Sequence, residues 1–241
     1  MVFTLDSPGY NPIPTPPPGF KSGFVGIVGR PNVGKSTLMN GLVGQKVAIT
    51  SPTAQTTRNR LRGILSTEQA QIIFVDTPGI HKPHHELGKI LVKNARLAIE
   101  AVDLTLFVVD GSVAAGRGDQ FVADLLAQSP NPVIVGVNKV DLQSTQADSL
   151  NGSYADLAAA YNWPLVKFSA LQTNSLEPLL TQLMAHLPPG PYYYPPDLVT
   201  DQPERFIMGE LIREQILLHT REEVPHSVAI AIDRVEEADT I

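Results

Sequence analysis

The segment Gly29-Arg30-Pro31-Asn32-Val33-Gly34-Lys35-Ser36 restricts this chain more than any other stretch of it. It matches the pattern G-x-x-x-x-G-K-[ST], and its flanks supply the context that such a pattern requires. Phe24-Val25-Gly26-Ile27-Val28 before it reads as a short apolar strand, and Thr37-Leu38-Met39-Asn40-Gly41-Leu42 after it has the apolar spacing of a helix start. This setting separates it from an ordinary glycine-containing strand-to-helix turn. Glycines let successive backbone N–H groups curl around an oxyanion, and the helix N-terminus adds its positive dipole end. Lys35 is then expected to reach the β- and γ-phosphates of a nucleoside triphosphate, and the Ser36 hydroxyl to ligate Mg²⁺.

A chain of 241 residues holds one α/β domain of about 150–180 residues plus something smaller. With no cysteine, disulfides and Cys-based metal sites are excluded, which fits a reducing cytosol. No apolar run approaches the roughly 18 residues of a membrane span, and the N-terminus lacks a basic region followed by a hydrophobic core. The expectation is a soluble, cytoplasmic protein, with peripheral membrane contact left open. A net charge of −6 argues against non-specific coating of nucleic acid. The distribution of charge is more telling. From Ser7 to Thr67 there is no Asp or Glu, yet Lys21, Arg30, Lys35, Lys46, Arg58, Arg60 and Arg62 fall there, as suits a region that meets polyphosphate.

Residues 1–22 carry Pro8, Pro12, Pro14, Pro16, Pro17 and Pro18 and are expected to form a disordered or polyproline-like extension. Apolar runs at 24–28, 71–75, 104–109 and 132–137, with a weaker one at 165–168, look like strands buried on both faces. Helical spacing occurs near 35–44, 86–100, 118–128, 151–161 and 175–187, and 61–66 is expected to add an antiparallel edge strand. Alternating strands and helices predict a doubly wound, mainly parallel sheet of the P-loop NTPase type over residues 23–187, with ligand at the carboxyl ends of the strands. Residues 188–202, rich in Pro and Tyr, read as a stiff linker. Beyond it, 203–220 has helical spacing and 227–233 alternates like a strand. One helix and one strand bury no core alone, so the second, α+β domain looks incomplete as given.

Further motifs specify the chemistry. Asp76-Thr77-Pro78-Gly79 follows a buried run, roughly 40 residues after the phosphate loop, where an Asp can hold Mg²⁺ through a water and the Gly79 N–H can meet the γ-phosphate. Asn138-Lys139-Val140-Asp141 ends the next-but-one run. A carboxylate at Asp141 accepts from both N1–H and the 2-amino group of guanine, which adenine does not offer, so ATP would leave it unpaired. Asn138 would brace this loop and the Lys139 stem would cover the base. Ser169-Ala170 is a small-residue turn whose backbone can contact the guanine carbonyl. The polar loop at 50–60 carries a threonine expected to complete the Mg²⁺ shell only when a γ-phosphate is bound: Thr57, with Thr56 as the alternative.

These elements in this order resemble the translation-factor-related GTPases and, more narrowly, the Era family. The resemblance rests on Gly29-Arg30-Pro31-Asn32-Val33-Gly34-Lys35-Ser36-Thr37, Ala54-Gln55-Thr56-Thr57-Arg58, Asp76-Thr77-Pro78-Gly79-Ile80, Asn138-Lys139-Val140-Asp141 and Ser169-Ala170-Leu171. It continues in Pro203-Glu204-Arg205-Phe206, Arg213-Glu214 and Thr220-Arg221-Glu222-Glu223-Val224-Pro225-His226-Ser227, the pattern that singles out Era. The resemblance implies a GTP/GDP site made of Gly29 to Thr37, Asp76, Thr77, Pro78, Gly79, Asn138, Lys139, Asp141, Ser169, Ala170 and Leu171. Ser36, Thr57 and Asp76 would serve Mg²⁺, and Lys35, Thr57 and Gly79 hydrolysis. It also implies a C-terminal KH domain that binds small-subunit ribosomal RNA near its 3′ end during assembly of the 30S particle, peripheral association with the inner face of the cell membrane, and a monomer.

The chain departs from better-known patterns at two places. Ras-type enzymes place a water-orienting Gln after the D-x-x-G glycine; here it is Ile80, as in Era relatives, so hydrolysis is expected to be slow, on the order of 10⁻⁴ to 10⁻² s⁻¹. Asn32 is the candidate for compensating this. In related GTPases an asparagine there helps hold K⁺ at the phosphates, the alternative being a residue that merely shapes the loop. The second departure is the tail. A KH domain clamps nucleotide backbone with a G-x-x-G loop, yet after residue 190 the only glycine is Gly209, and from Glu204 onward nine acidic residues face four basic ones. The expectation is a chain cut within its KH domain, the alternative being that the family's RNA activity is impaired in this version, with a GTP-dependent switch acting on a membrane or protein partner as the competing function. His81, His84 and His85 are not expected to bind metal, and Tyr192-Tyr193-Tyr194 are expected to pack on a domain rather than to stack RNA bases.

Overall fold

The computed structural model describes residues 13–50, 61–76, 79–80, 96–143, 147–220 and 228–235. The strands are β1 (Lys21–Val28), β2 (Arg62–Ser66), β3 (Ala70–Asp76), β4 (Leu104–Asp110), β5 (Val133–Asn138) and β6 (Leu165–Lys167). The helices are α1 (Lys35–Val43), α2 (Arg117–Leu126), α3 (Ala147–Ala160), α4 (Glu177–His186) and α5 (Glu204–His219), with a further helical turn at 96–100. The strands form one sheet in the order β2-β3-β1-β4-β5-β6. Among the described strands, only the edge strand β2 is antiparallel to its neighbour. The doubly wound α/β fold is the one expected.

Strands buried on both faces must satisfy two cores at once, and β4 does so by alternation. Leu104, Leu106 and Val108 point into the cluster built with Leu38, Met39 and Leu42 of α1 and Leu179 and Leu183 of α4. Phe107 and Val109 point into the opposite cluster, with Val122 and Leu126 of α2 and Tyr154 and Leu157 of α3. Each large apolar side chain so enclosed is worth roughly 1.5–3 kcal/mol of transfer free energy. Gly136 of β5 leaves the room for a ring: a Cβ there would lie 2.9 Å from Phe168 Cε1 and 3.1 Å from Leu106 Cδ1.

The boundaries move from those the periodicity predicts. β1 begins at Lys21, because backbone pairing with β3 (Lys21 opposite Ala70) extends past the apolar run. The extension expected over 1–22 is therefore ordered before its end. Phe20 is buried, and its ring centroid lies 4.3 Å from that of Tyr192. The segment 188–202 is a strap on the domain rather than a free spacer. Tyr193 packs its ring 5.3 Å from Phe24, while the Tyr193 and Tyr194 N–H groups donate to Gln71 Oε1 at 2.7 and 3.0 Å. The Ile64 N–H of edge strand β2 donates to the Val199 carbonyl at 2.8 Å, and the Thr200 hydroxyl donates to the Arg62 carbonyl at 2.7 Å. The strap thus occupies an otherwise open sheet edge.

Helix α5 then packs back against the end of the α1 loop. Its Glu214 is buried, pairs with Lys46, and accepts from the Thr50 N–H at 2.8 Å and the Thr50 hydroxyl at 3.0 Å. The strand expected over 227–233 is a correction. Residues 228–235 form none, since a strand needs a ladder partner and no described strand lies alongside. Ile230 instead lies over Gly209 of α5, in van der Waals reach of a Cβ there. Of the helix expected over 86–100, only the turn from 96 falls within the described residues. No helix among the described residues is long and apolar enough to cross a membrane.

Candidate nucleotide-binding site

Because β1, β3, β4, β5 and β6 run parallel, the loops that follow them gather at one edge of the sheet. The loop after β1 is shaped by contacts that admit no side chain. A Cβ on Gly29 would lie 2.2 Å from the Val108 carbonyl, and one on Gly34, which adopts φ 98°, would lie 2.3 Å from Asn138 Nδ2. Lys35 curls back over the loop, its ammonium donating to the carbonyls of Gly29 at 3.3 Å and Arg30 at 3.0 Å. Burial lowers the Lys35 pKa, and nearby Asp76 counteracts only in part. A phosphate anion placed there would relieve that penalty.

Asp76, at the end of β3, is wholly buried and accepts from the Ser36 hydroxyl at 3.2 Å. A hydroxyl and a carboxylate side by side beneath a phosphate loop form a hard-oxygen donor set of the kind Mg²⁺ takes. Gly79 passes so close to the loop that a Cβ would meet the Pro31 nitrogen at 2.8 Å. The Ile80 N–H donates to the Gly29 carbonyl at 3.0 Å, and its side chain is 3% exposed within the core on the α2 and α3 side. Ile80 is therefore a packing residue, turned away from any role in orienting water.

On the other side of the loop lies a cleft of about 200 Å³ lined by Gly34, Thr37, Asn138, Lys139, Asp141, Leu142, Ser169, Ala170 and Leu171. Asn138 builds it, donating to the Val33 carbonyl at 2.8 Å and accepting from the Ala170 N–H at 2.8 Å, both buried. Asp141 is exposed at the rim. Leu171 is exposed there too, at 77%, with Leu142 at 62%. Lys139 takes a left-handed backbone (φ 63°), and its ammonium donates to the Asn32 carbonyl at 2.8 Å and to Asp110 at 2.6 Å. Asn32 also has φ 63°, a conformation asparagine tolerates better than most residues.

The structure thus brings together Gly29 to Thr37, Asp76, Gly79, Asn138, Lys139, Asp141 and Ser169 to Leu171. Thr56, Thr57, Thr77, Pro78, His81, His84 and His85 lie outside the described residues. Arg30 joins through its backbone, while its guanidinium pairs at 3.1 Å with Asp119, a carboxylate buried at the start of α2. Two groups escaped the sequence reading, Asp110 and Asp119. Asp110 could have been noticed as the acid closing the run 104–109, in the position that Asp76 takes after 71–75. Burial alone would raise its carboxyl pKa, but hydrogen bonds from Lys139 and Ser112 outweigh this and hold it below the usual value.

A glycine-shaped loop with an inward lysine at the end of β1, an Asp beside its serine, and an N-K-x-D loop over a base-sized cleft define a P-loop GTPase domain. Residues 24–139 match the family model described as 50S ribosome-binding GTPase. GTPase Era of Nostoc sp. is 72% identical over 229 residues, covering 95% of this chain and 71% of that protein. GTPase Era of Rippkaea orientalis is 68% identical over 241 residues, covering 100% of this chain and 77% of that protein. Among solved structures, Era in complex with MgGDPNP and nucleotides 1506–1542 of 16S ribosomal RNA superposes with a TM-score of 0.83 at 38% identity, over 91% of this chain and 74% of that one. The chain belongs to the Era family of GTPases, enzymes that hydrolyse GTP.

Proposed function

We propose that this chain is a Mg²⁺-dependent GTPase acting on the small ribosomal subunit, through RNA near the 3′ end of 16S rRNA. The observation that carries the enzymatic part is the convergence of the loops after β1, β3, β5 and β6 on one edge. Backbone N–H groups of residues 32–36 and the Lys35 ammonium would hold the β- and γ-phosphates, and the α1 N-terminus would add its dipole. Ser36 and Asp76 would hold Mg²⁺, which when bound neutralises charge on the phosphate oxygens. Thr57 and the N–H of Gly79 are assigned to the γ-phosphate side. Asp141 would read guanine, Asn138 fix the cleft, Lys139 cover the base, and the backbone at Ser169, Ala170 and Leu171 meet its carbonyl. With the Ile80 side chain sealed in the core, no side chain at that position orients water, which supports slow intrinsic turnover of about 10⁻⁴ to 10⁻² s⁻¹.

Asn32 is proposed to recruit K⁺ at the phosphates. Turnover several-fold faster in KCl than in NaCl is expected on the basis that a fixed cation stabilises developing charge; equal rates in the two salts remove the K⁺ assignment. The domain assignment is a G domain over 23–187, a docked linker over 188–202 and a KH-type region over 203–241, in a cytoplasmic monomer with peripheral membrane contact. Likeness to the Era–16S rRNA complex over 91% of the chain supports RNA as the partner. The acidic excess after Glu204 favours a second reading, a GTP-dependent switch on a membrane or protein partner. A 3′-terminal 16S rRNA oligonucleotide, titrated over a range of salt, separates the two. Tighter binding to the protein loaded with a non-hydrolysable GTP analogue than with GDP, weakening as salt rises, is the expected result. No binding in either state rejects the RNA partner.

A further inference from the structure

β4 ends on Asp110, which stands opposite Asn138 in the sheet register, and the assignments above leave this carboxylate without a task. It is held at both oxygens. Oδ2 accepts from Lys139 Nζ at 2.6 Å, while Oδ1 accepts from the Ser112 N–H at 3.0 Å and the Ser112 hydroxyl at 2.6 Å. Its backbone is pinned as well, the carbonyl accepting at 3.0 Å from the hydroxyl of Tyr154, a residue with no exposed surface. The next residue repeats the pattern: the Gly111 N–H donates to the Asn138 carbonyl at 2.7 Å, and Gln143 Nε2 donates to the Gly111 carbonyl at 2.8 Å. The acid is therefore a fixed point, built into the same knot of backbone as the cleft.

What it fixes is the far end of Lys139. A lysine stem has several freely rotating bonds and a strongly hydrated tip, so left alone it samples many positions and makes a poor wall. Here the ammonium is shared between Asp110 and the Asn32 carbonyl of the phosphate loop, 2.8 Å away, and the residue whose tip is so anchored lines the base cleft. An ordered stem costs no further side-chain entropy when a base lands on it. We propose that Asp110 is a positioning residue for guanine-nucleotide binding, clamping the Lys139 ammonium against the Asn32 carbonyl so that the stem forms a preset wall of the base cleft and ties that cleft to the phosphate loop. This rests on the reading of Lys139 as the cover of the base.

The test is a double-mutant cycle on the whole chain, with GDP affinity and the dissociation rate of a fluorescent GDP as readouts, using wild type, Asp110→Asn, Lys139→Ala and the double variant. Asparagine keeps the size of the side chain but turns a charged acceptor into a neutral one. Asp110→Asn is expected to weaken GDP binding about tenfold, mostly through faster release. In the Lys139→Ala background the same change is expected to cost less than about twofold, since there is no ammonium left to clamp. If the two single effects multiply in the double variant, Asp110 acts on the fold independently of Lys139 and the proposal is overturned. It is equally overturned if Asp110→Asn binds and releases GDP as wild type does. Should Asp110→Asn fail to fold, Asp110→Ala takes its place with the same expectations. Normal GDP binding by Lys139→Ala overturns the reading of Lys139 along with this inference, whereas a weakened Lys139→Ala beside a silent Asp110→Asn overturns the inference alone.

Discussion

A single amide, that of Asn138, joins three loops: its own, the phosphate loop through the Val33 carbonyl, and the turn at 169–171 through the Ala170 N–H. Most residues of the site divide into those that would touch nucleotide and those, like Asn138 and Asp110, that hold the others in place. Lys35 and Asp141 belong to the first kind and make opposite predictions. Lys35→Ala removes the buried ammonium proposed to meet the phosphates and is expected to abolish GTP binding, measured by calorimetry. Asp141→Asn replaces a double acceptor by an amide that cannot receive both guanine N–H groups. It is expected to lower the preference for guanine over other bases on the order of 10²-fold or more. Unchanged GTP affinity in both variants would overturn the site assignment. The motif residues that the fold brings together were legible in sequence because each group lies close along the chain at a strand end. The pairings of Asp110 and Asp119 were not, since their partners, Lys139 and Arg30, lie 29 and 89 residues away.

At the scale of elements, the buried strands declared themselves and the docked ones did not. β3, β4 and β5 are near-continuous apolar runs because both their faces are buried. β2 was foreseen as an antiparallel edge, while the start of β1 was hidden, Lys21 and Ser22 being polar residues whose strand geometry comes from backbone pairing. Close approaches between elements are equally invisible in composition. Gly136 is one, since its missing side chain is the space that the Phe168 ring fills. Gly136→Ala is expected to destabilise the protein by roughly 1–3 kcal/mol, read as a lower urea midpoint at unchanged slope. An unaltered midpoint would mean that the ring moves aside freely. The alternation predicted for 227–233 failed for the converse reason: a pattern compatible with a strand does not make one without a neighbour to pair with.

For the whole molecule, the strap at 188–202 and helix α5 turn a sheet domain with an appendage into a connected body. Glu214 carries much of that connection. Burial would raise its pKa, but hydrogen bonds from Lys46 and from Thr50 outweigh this and hold it below its ordinary 4.5. A depressed carboxyl pKa stabilises the folded state fully above the unfolded value and loses that contribution as pH falls through the folded one. Wild type is therefore expected to lose stability below about pH 4.5 more steeply than Glu214→Gln. At pH 7 the variant should be the less stable by about 1–3 kcal/mol. Urea denaturation at a series of pH values checks this, and parallel curves for the two proteins would sink it.

The sequence by itself determined the parallel sheet, the order of its loops, the phosphate and guanine motifs and the family, because each depends on residues close along the chain or on spacing set by a ligand. Only the tertiary structure decided which groups hold those motifs in place. The Asn32–Lys139–Asp110 clamp, the Arg30–Asp119 pair, the sealing of Ile80, the strap along β2 and the seat of Glu214 all join residues distant in sequence. Their energies come from burial and hydrogen-bond partners that exist only once the sheet has brought the segments together.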